Sequence, residues 1–232
     1  MTWTRSQSGL GGDSAGAVVA FGSGYVAAGR AAGEDGDDRA LFWTSPDGRT
    51  WAAAPDAKDL HDVASTPVLA AAGQHLVAFG GKSHVWVGSE ALVWTSQDGV
   101  TWQSQASSGV VAPLPSGPPL ASDEPARVAL RIGGLIGTDR GFVAAGGAFY
   151  LEAAAGNAAG TPWARRVVWT SPTGATWAIA ADIPEAPAGP DSAPSSVGPL
   201  AVHQGQLLMF GTQRNRAGSA TLWATDLKGI TD

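Results

Sequence analysis

Short apolar runs bounded by glycines and turn residues recur from one end of the chain to the other. Val18–Phe21, Val68–Ala72, Val128–Ile136 and Leu200–Val202 each precede a second run: Gly24–Gly29, His75–Gly80, Gly141–Gly146 and Gln206–Gly211. A connection of varying length follows each pair and leads to a tryptophan-bearing segment: Phe42–Trp51, Val93–Trp102, Val168–Trp177 and a degenerate Leu222–Thr231. Runs this short, punctuated by turn signals, predict strands. Each unit reads as apolar run, tight turn, apolar run, variable connection, Trp strand, tight turn, Trp strand. That is four antiparallel strands per unit, and four units.

The turn inside each Trp segment has its own chemistry. In Ser45-Pro46-Asp47-Gly48, proline presets φ for the first corner, aspartate suits the second, and glycine takes the positive φ that follows. A three-residue loop of this kind, closed by a G1 bulge, is expected to set Trp43 directly opposite Trp51. The same reading pairs Trp94 with Trp102 and Trp169 with Trp177, each eight residues apart. A buried Trp removes roughly 150–250 Å² from water, an upper-bound gain of about 4–6 kcal/mol. These tryptophans are therefore assigned to packing between units.

Four such units predict an all-β protein, a four-bladed β-propeller of four antiparallel strands per blade. A single domain is expected over 1–232, with blades at 14–56, 61–107, 126–182 and 196–231. The fourth unit stops where its last strand would begin, and Thr2-Trp3-Thr4-Arg5-Ser6 reads like such a strand. Residues 1–6 are thus expected to complete the last blade, closing a monomeric ring and removing an exposed edge. A piece of a longer array and a larger ring shared by two chains are the alternatives.

The hairpins resemble the Asp-box, the bacterial neuraminidase repeat of sialidase-like proteins, whose pattern runs Ser-x-Asp-x-Gly-x-Thr-Trp. Ser45, Asp47, Gly48, Thr50 and Trp51 match, as do Ser96, Asp98, Gly99, Thr101 and Trp102, with Asp and Gly adjacent instead of separated. The third copy keeps Ser171, Gly174, Thr176 and Trp177 but has Thr173 in place of the aspartate; the fourth keeps Thr225, Gly229 and Thr231. The resemblance implies a propeller fold, an extracellular or periplasmic setting, and a box that serves as a structural turn away from the catalytic face. Its aspartate is expected to accept backbone N–H bonds.

Composition narrows the partners. A net charge of −6 disfavours nucleic acid and anionic membranes. No apolar stretch is long enough for a membrane span. The absence of cysteine excludes disulfides and thiolate metal sites. The four histidines share no metal-ligand spacing, and no cofactor is expected, a calcium or other ion in the channel or the acidic loop being the one exception considered.

All of the length variation falls on one face, in the connections between the second and third strands of each unit and between units. Binding residues concentrate on such loops. The candidates there are Glu34, Asp35, Asp37 and Asp38 in an acidic loop, Trp86 and Trp163 outside the repeat, Glu152, and Arg214 with Arg216. Sialidase-like hydrolysis would need an arginine cluster and a tyrosine nucleophile supported by a glutamate. Tyr25 is expected in a repeat strand as a core residue, which leaves Tyr150 and Glu152, and Arg131-Ile132 is followed by glycine where that family's element has proline. The expectation is a non-enzymatic binding or scaffold protein that presents the variable face to a protein or glycan. A glycan-binding lectin and a sialidase-like glycoside hydrolase are the alternatives.

Overall fold

A computed structural model describes residues 10, 14–33, 38–81, 91–105, 127–151, 163–183, 196–213 and 219–228. Each repeat forms one antiparallel sheet whose strands lie side by side in chain order. The first sheet holds β1 (Ser14–Phe21), β2 (Gly24–Ala31), β3 (Arg39–Ser45) and β4 (Ala52–Ala53). The second holds β5 (Val68–Ala72), β6 (His75–Gly81), β7 (Ala91–Ser96) and β8 (Gln103–Gln105). The third holds β9 (Arg127–Thr138), β10 (Gly141–Leu151), β11 (Trp163–Ser171) and β12 (Ala178–Ile183). The fourth holds β13 (Ser196–His203), β14 (Gln206–Gln213) and β15 (Ser219–Asp226). Among the described residues the fourth sheet thus has three strands, and residues 1–6, the expected closing strand, lie outside them.

The sheets stack face to face, β1 beside β5, β5 beside β9 and β9 beside β13, a propeller-like arrangement. Side chains alternate across each strand, so every sheet has a leading face toward the sheet before it and a trailing face toward the sheet after it. Val26, Ala28 and Phe42 on the first trailing face bury against Leu76, Ala78, Trp94 and Trp102 of the second sheet. Val77, Phe79 and Val93 repeat this against Phe142, Ala144, Trp169 and Trp177. Val143, Ala145 and Val168 meet Leu207, Met209 and Trp223 in the third seam. Because both faces of an inner sheet are buried, its strands read as continuous apolar runs.

One position breaks the pattern of the third seam. Three residues before each first tryptophan stand Ala40, Ala91, Arg166 and Ala220. Arg166 is buried, and its guanidinium carbon lies 4.5 Å from the ring centre of Trp223.

The hairpin register differs from the expected one by two residues. Trp43 pairs with Ala53, Trp94 with Ser104 and Trp169 with Ile179, so no tryptophan faces its partner across the hairpin. The cause lies in the turn. Ser45 Oγ accepts the Gly48 N–H (2.8 Å), and Asp47 Oδ1 accepts the N–H groups of Arg49 (2.8 Å) and Thr50 (2.9 Å). Ser96 and Asp98 repeat the scheme on Gly99 (2.9 Å), Val100 (2.8 Å) and Thr101 (2.7 Å). These side chains take up N–H groups that a tight hairpin would give to the ladder, so the loop widens and takes the second tryptophan with it. Trp102 Nε1 then donates to Gly99 O (3.1 Å) and Trp177 Nε1 to Gly174 O (2.8 Å).

Glycine is required in this loop on two counts. Gly99 and Gly174 have φ of 74° and 87°. A Cβ at Gly174 would stand 2.0 Å from Val77 Cγ2, and one at Gly99 2.8 Å from Val26 Cγ2, each in the preceding sheet.

Candidate functional site

The connection from the first sheet to the second crosses the variable face and carries most of its described polar chemistry. Successive backbone bonds tie it to both sheets: Val63 N–H donates to Asp38 O (2.9 Å), just before β3, and Ala64 N–H donates to Gly81 O (2.7 Å), at the end of β6. Beneath it, Trp94 Nε1 donates to Asp59 O (2.8 Å). The anchoring holds Asp62 at a φ of 64°, a left-handed conformation uncommon outside glycine.

Two carboxylates stand on this platform in unlike settings. Asp38 lies 3.3 Å from Arg30 Nη1, which also donates to Ala64 O (2.6 Å), and its side chain is mostly covered. Asp56 is half exposed and receives Arg39 Nη1 on one oxygen (2.8 Å) and His61 Nε2 on the other (3.2 Å). An isolated antiparallel bridge between Arg39 and His61 fixes the geometry by setting both partners of Asp56 side by side. The arrangement offers an accessible carboxylate, a cation that orients it, and an imidazole on its other oxygen.

Of the residues expected at a site, Asp38 is the one whose side chain the structure describes. Glu34, Asp35, Asp37, Trp86, Glu152, Arg214 and Arg216 lie outside the described residues. Trp163 is placed by its backbone at the start of β11, paired with Tyr150 of β10, so it belongs to a strand and not to a loop. Arg30, Arg39, Asp56 and His61 were not anticipated. Among the described residues no three of His, Cys, Asp or Glu gather as a metal site, and no helix is long and apolar enough to cross a membrane.

The hairpin side carries an open cleft of about 470 Å³ between the third and fourth sheets, lined by Asp139, Arg140, Gln204, Gln206, Asp226 and Lys228. Charges of both signs balance there, and Asp226 Oδ1 is engaged by the Lys228 N–H (2.9 Å).

No protein-family model matches the sequence, and no curated protein matches it. Solved structures do. A β-1,2-mannobiose phosphorylase from Listeria innocua superposes with a TM-score of 0.44 at 14% identity, over 92% of this chain and 57% of that one. A family 32 β-fructofuranosidase of Bombyx mori gives 0.46 at 15% identity, over 92% and 48%. A family 117 glycoside hydrolase from the marine bacterium Zobellia galactanivorans gives 0.49 at 10% identity, over 92% and 65%. The chain therefore spans about half to two thirds of the length of these proteins, and the likeness is one of fold. All three are sugar-processing enzymes by name. The expectation from the sequence is a non-enzymatic binding or scaffold protein that is not an enzyme, whereas the structures that share the fold are enzymes by name.

Proposed function

We propose that the chain is the propeller-like part of a carbohydrate-active enzyme that cleaves glycosidic bonds at its variable face. The observation that carries the reading is the open carboxylate of Asp56, held between Arg39 and His61 near a second, covered carboxylate, Asp38 beside Arg30. Glycoside cleavage divides its work between two carboxyl groups in different environments, or between a carboxylate and another proton donor. Asp56 fits the carboxylate that acts on the sugar or on water, since it is open to solvent and oriented by Arg39. His61, on the other oxygen of Asp56, is the group assigned to deliver a proton to the departing oxygen. As surface ion pairs these contacts contribute at most about 1 kcal/mol to folding, so stability is a minor part of what the cluster does.

The first three hairpins are read as Asp-box turns, a reading supported by the Ser and Asp hydrogen-bond scheme that the first two share and by the Ser171 bond that the third keeps. They lie on the side away from the aspartate pair and serve the fold.

Incubation with aryl glycosides and unsubstituted disaccharides, with and without inorganic phosphate, tests the proposal. Release of free sugar or sugar phosphate from at least one substrate is expected. Silence across the panel in both buffers would contradict it.

A further inference from the structure

We infer that two copies of this chain join head to tail, the trailing face of the fourth sheet in one copy covering the leading face of the first sheet in the other. The three seams inside the chain define what such faces require. Ala28, Phe79 and Ala145 occupy one trailing position and are at most 2% exposed; Phe42, Val93 and Val168 occupy another and are at most 3% exposed. Their counterparts in the fourth sheet are Phe210, 47% exposed, and Leu222, 54% exposed. Apolar side chains are thus kept at Phe210 and Leu222 on a face that no sheet among the described residues covers.

The opposite end shows the matching half. Leu69 and Leu76 on the second leading face are buried, whereas Val18 and Tyr25, in the same positions of the first sheet, are 60% and 42% exposed. Ala27 and Trp43 on that face are already covered, so the open part is the area around Val18 and Tyr25. One chain therefore carries both halves of a seam that it uses three times internally, each half open at its own end. A leading face is what buries a trailing face at every internal seam, so a second copy of this chain offers the surface that each end lacks. Two copies related by a two-fold axis make the contact twice and leave neither end open. The inference stands apart from the proposed activity, because neither end face includes the Asp56 cluster.

Sedimentation equilibrium on the full chain at micromolar concentration tests it. A mass twice the 23.4 kDa of one chain is expected. Leu222→Asp and Tyr25→Asp should each sediment as monomers with an unchanged far-UV dichroism spectrum, since both sites are open in the single chain. An equimolar mixture of the two should regain dimer mass, because one undamaged seam survives in the mixed pair. If Leu222→Asp fails to fold, Leu222→Ser replaces it in the same mixture. A wild type of one chain mass would overturn the inference and point to closure of each chain on itself. A dimer lost with Leu222→Asp but kept with Tyr25→Asp would overturn it in favour of pairing between two fourth sheets.

Discussion

Phe42 stacks on Trp102 across the first seam, ring centres 3.8 Å apart and planes 16° from parallel. The contact joins two repeats, whereas the sequence places Trp102 opposite Trp94 within one hairpin. Widening of the Ser96–Asp98 turn releases Trp102 from the ladder and sends it toward the preceding sheet. In the second seam Phe79 meets Trp177 edge-on at 5.0 Å. The Asp-bearing turn is thereby linked to the packing between sheets.

Truncation of either ring should be costly, and the two losses should overlap. Phe42→Ala and Trp102→Ala are each expected to lose about 3–5 kcal/mol. The double variant should lose about 0.5–1.5 kcal/mol less than their sum, the share that belongs to the ring pair itself. Urea unfolding of the four proteins measures this.

The third turn is the weak copy and can be improved. Thr173 Oγ1 reaches the Ala175 N–H at 3.5 Å, whereas the aspartates of the first two turns each take two N–H groups at 2.9 Å or less. Thr173→Asp should stabilise the protein by about 0.5–1 kcal/mol, and Asp98→Ala should cost about 1 kcal/mol, by analogy with lost and gained helix caps. A fall in the urea midpoint for Thr173→Asp would show that the third turn cannot adopt the Asp geometry.

Acid should act through the same turns. Hydrogen bonds from Thr50 and Arg49 N–H lower the Asp47 carboxyl below the ordinary 3.8. At Asp98 burial pushes upward, but the Thr101 and Val100 N–H groups outweigh it and the net shift is down. A carboxylate depressed in the folded state stabilises above its unfolded value and loses that contribution as pH falls through the folded one. The stability gap between wild type and Asp98→Asn should therefore be constant from about pH 5 to 8 and shrink below about pH 4. A gap that narrows near neutrality would assign the effect to another group.

Strand order and the three seams were legible because the pattern repeats: one reading of Gly24–Gly29 serves for Gln206–Gly211. The hairpin register was not, because counting residues assumes that backbone pairs with backbone, and here Ser45 and Asp47 intervene. The site was legible only at Asp38. Arg39 and Asp56 lie 17 residues apart, and His61 lies five beyond, with no motif linking them. Their meeting depends on the bridge between Arg39 and His61, a tertiary feature without a local signal.

Arg166 marks where one seam departs from its siblings. Its planar guanidinium over Trp223 is a contact that an ammonium reproduces poorly. Arg166→Lys should cost about 1–2 kcal/mol, and Trp223→Leu should remove most of that difference. Equal penalties for Arg166→Lys with and without Trp223 would separate the arginine from the ring.

Turnover by the Asp56→Asn variant is the most direct test of the proposed function. On whichever glycoside the wild type cleaves, Asp56→Asn should retain the urea midpoint and lose about a hundredfold or more in kcat/KM, the scale on which a positioned acid or base acts. Asp226→Asn, in the cleft on the hairpin side, should match the wild type. Full activity in Asp56→Asn, or a comparable loss in Asp226→Asn, would contradict a site at the Arg39–Asp56–His61 cluster.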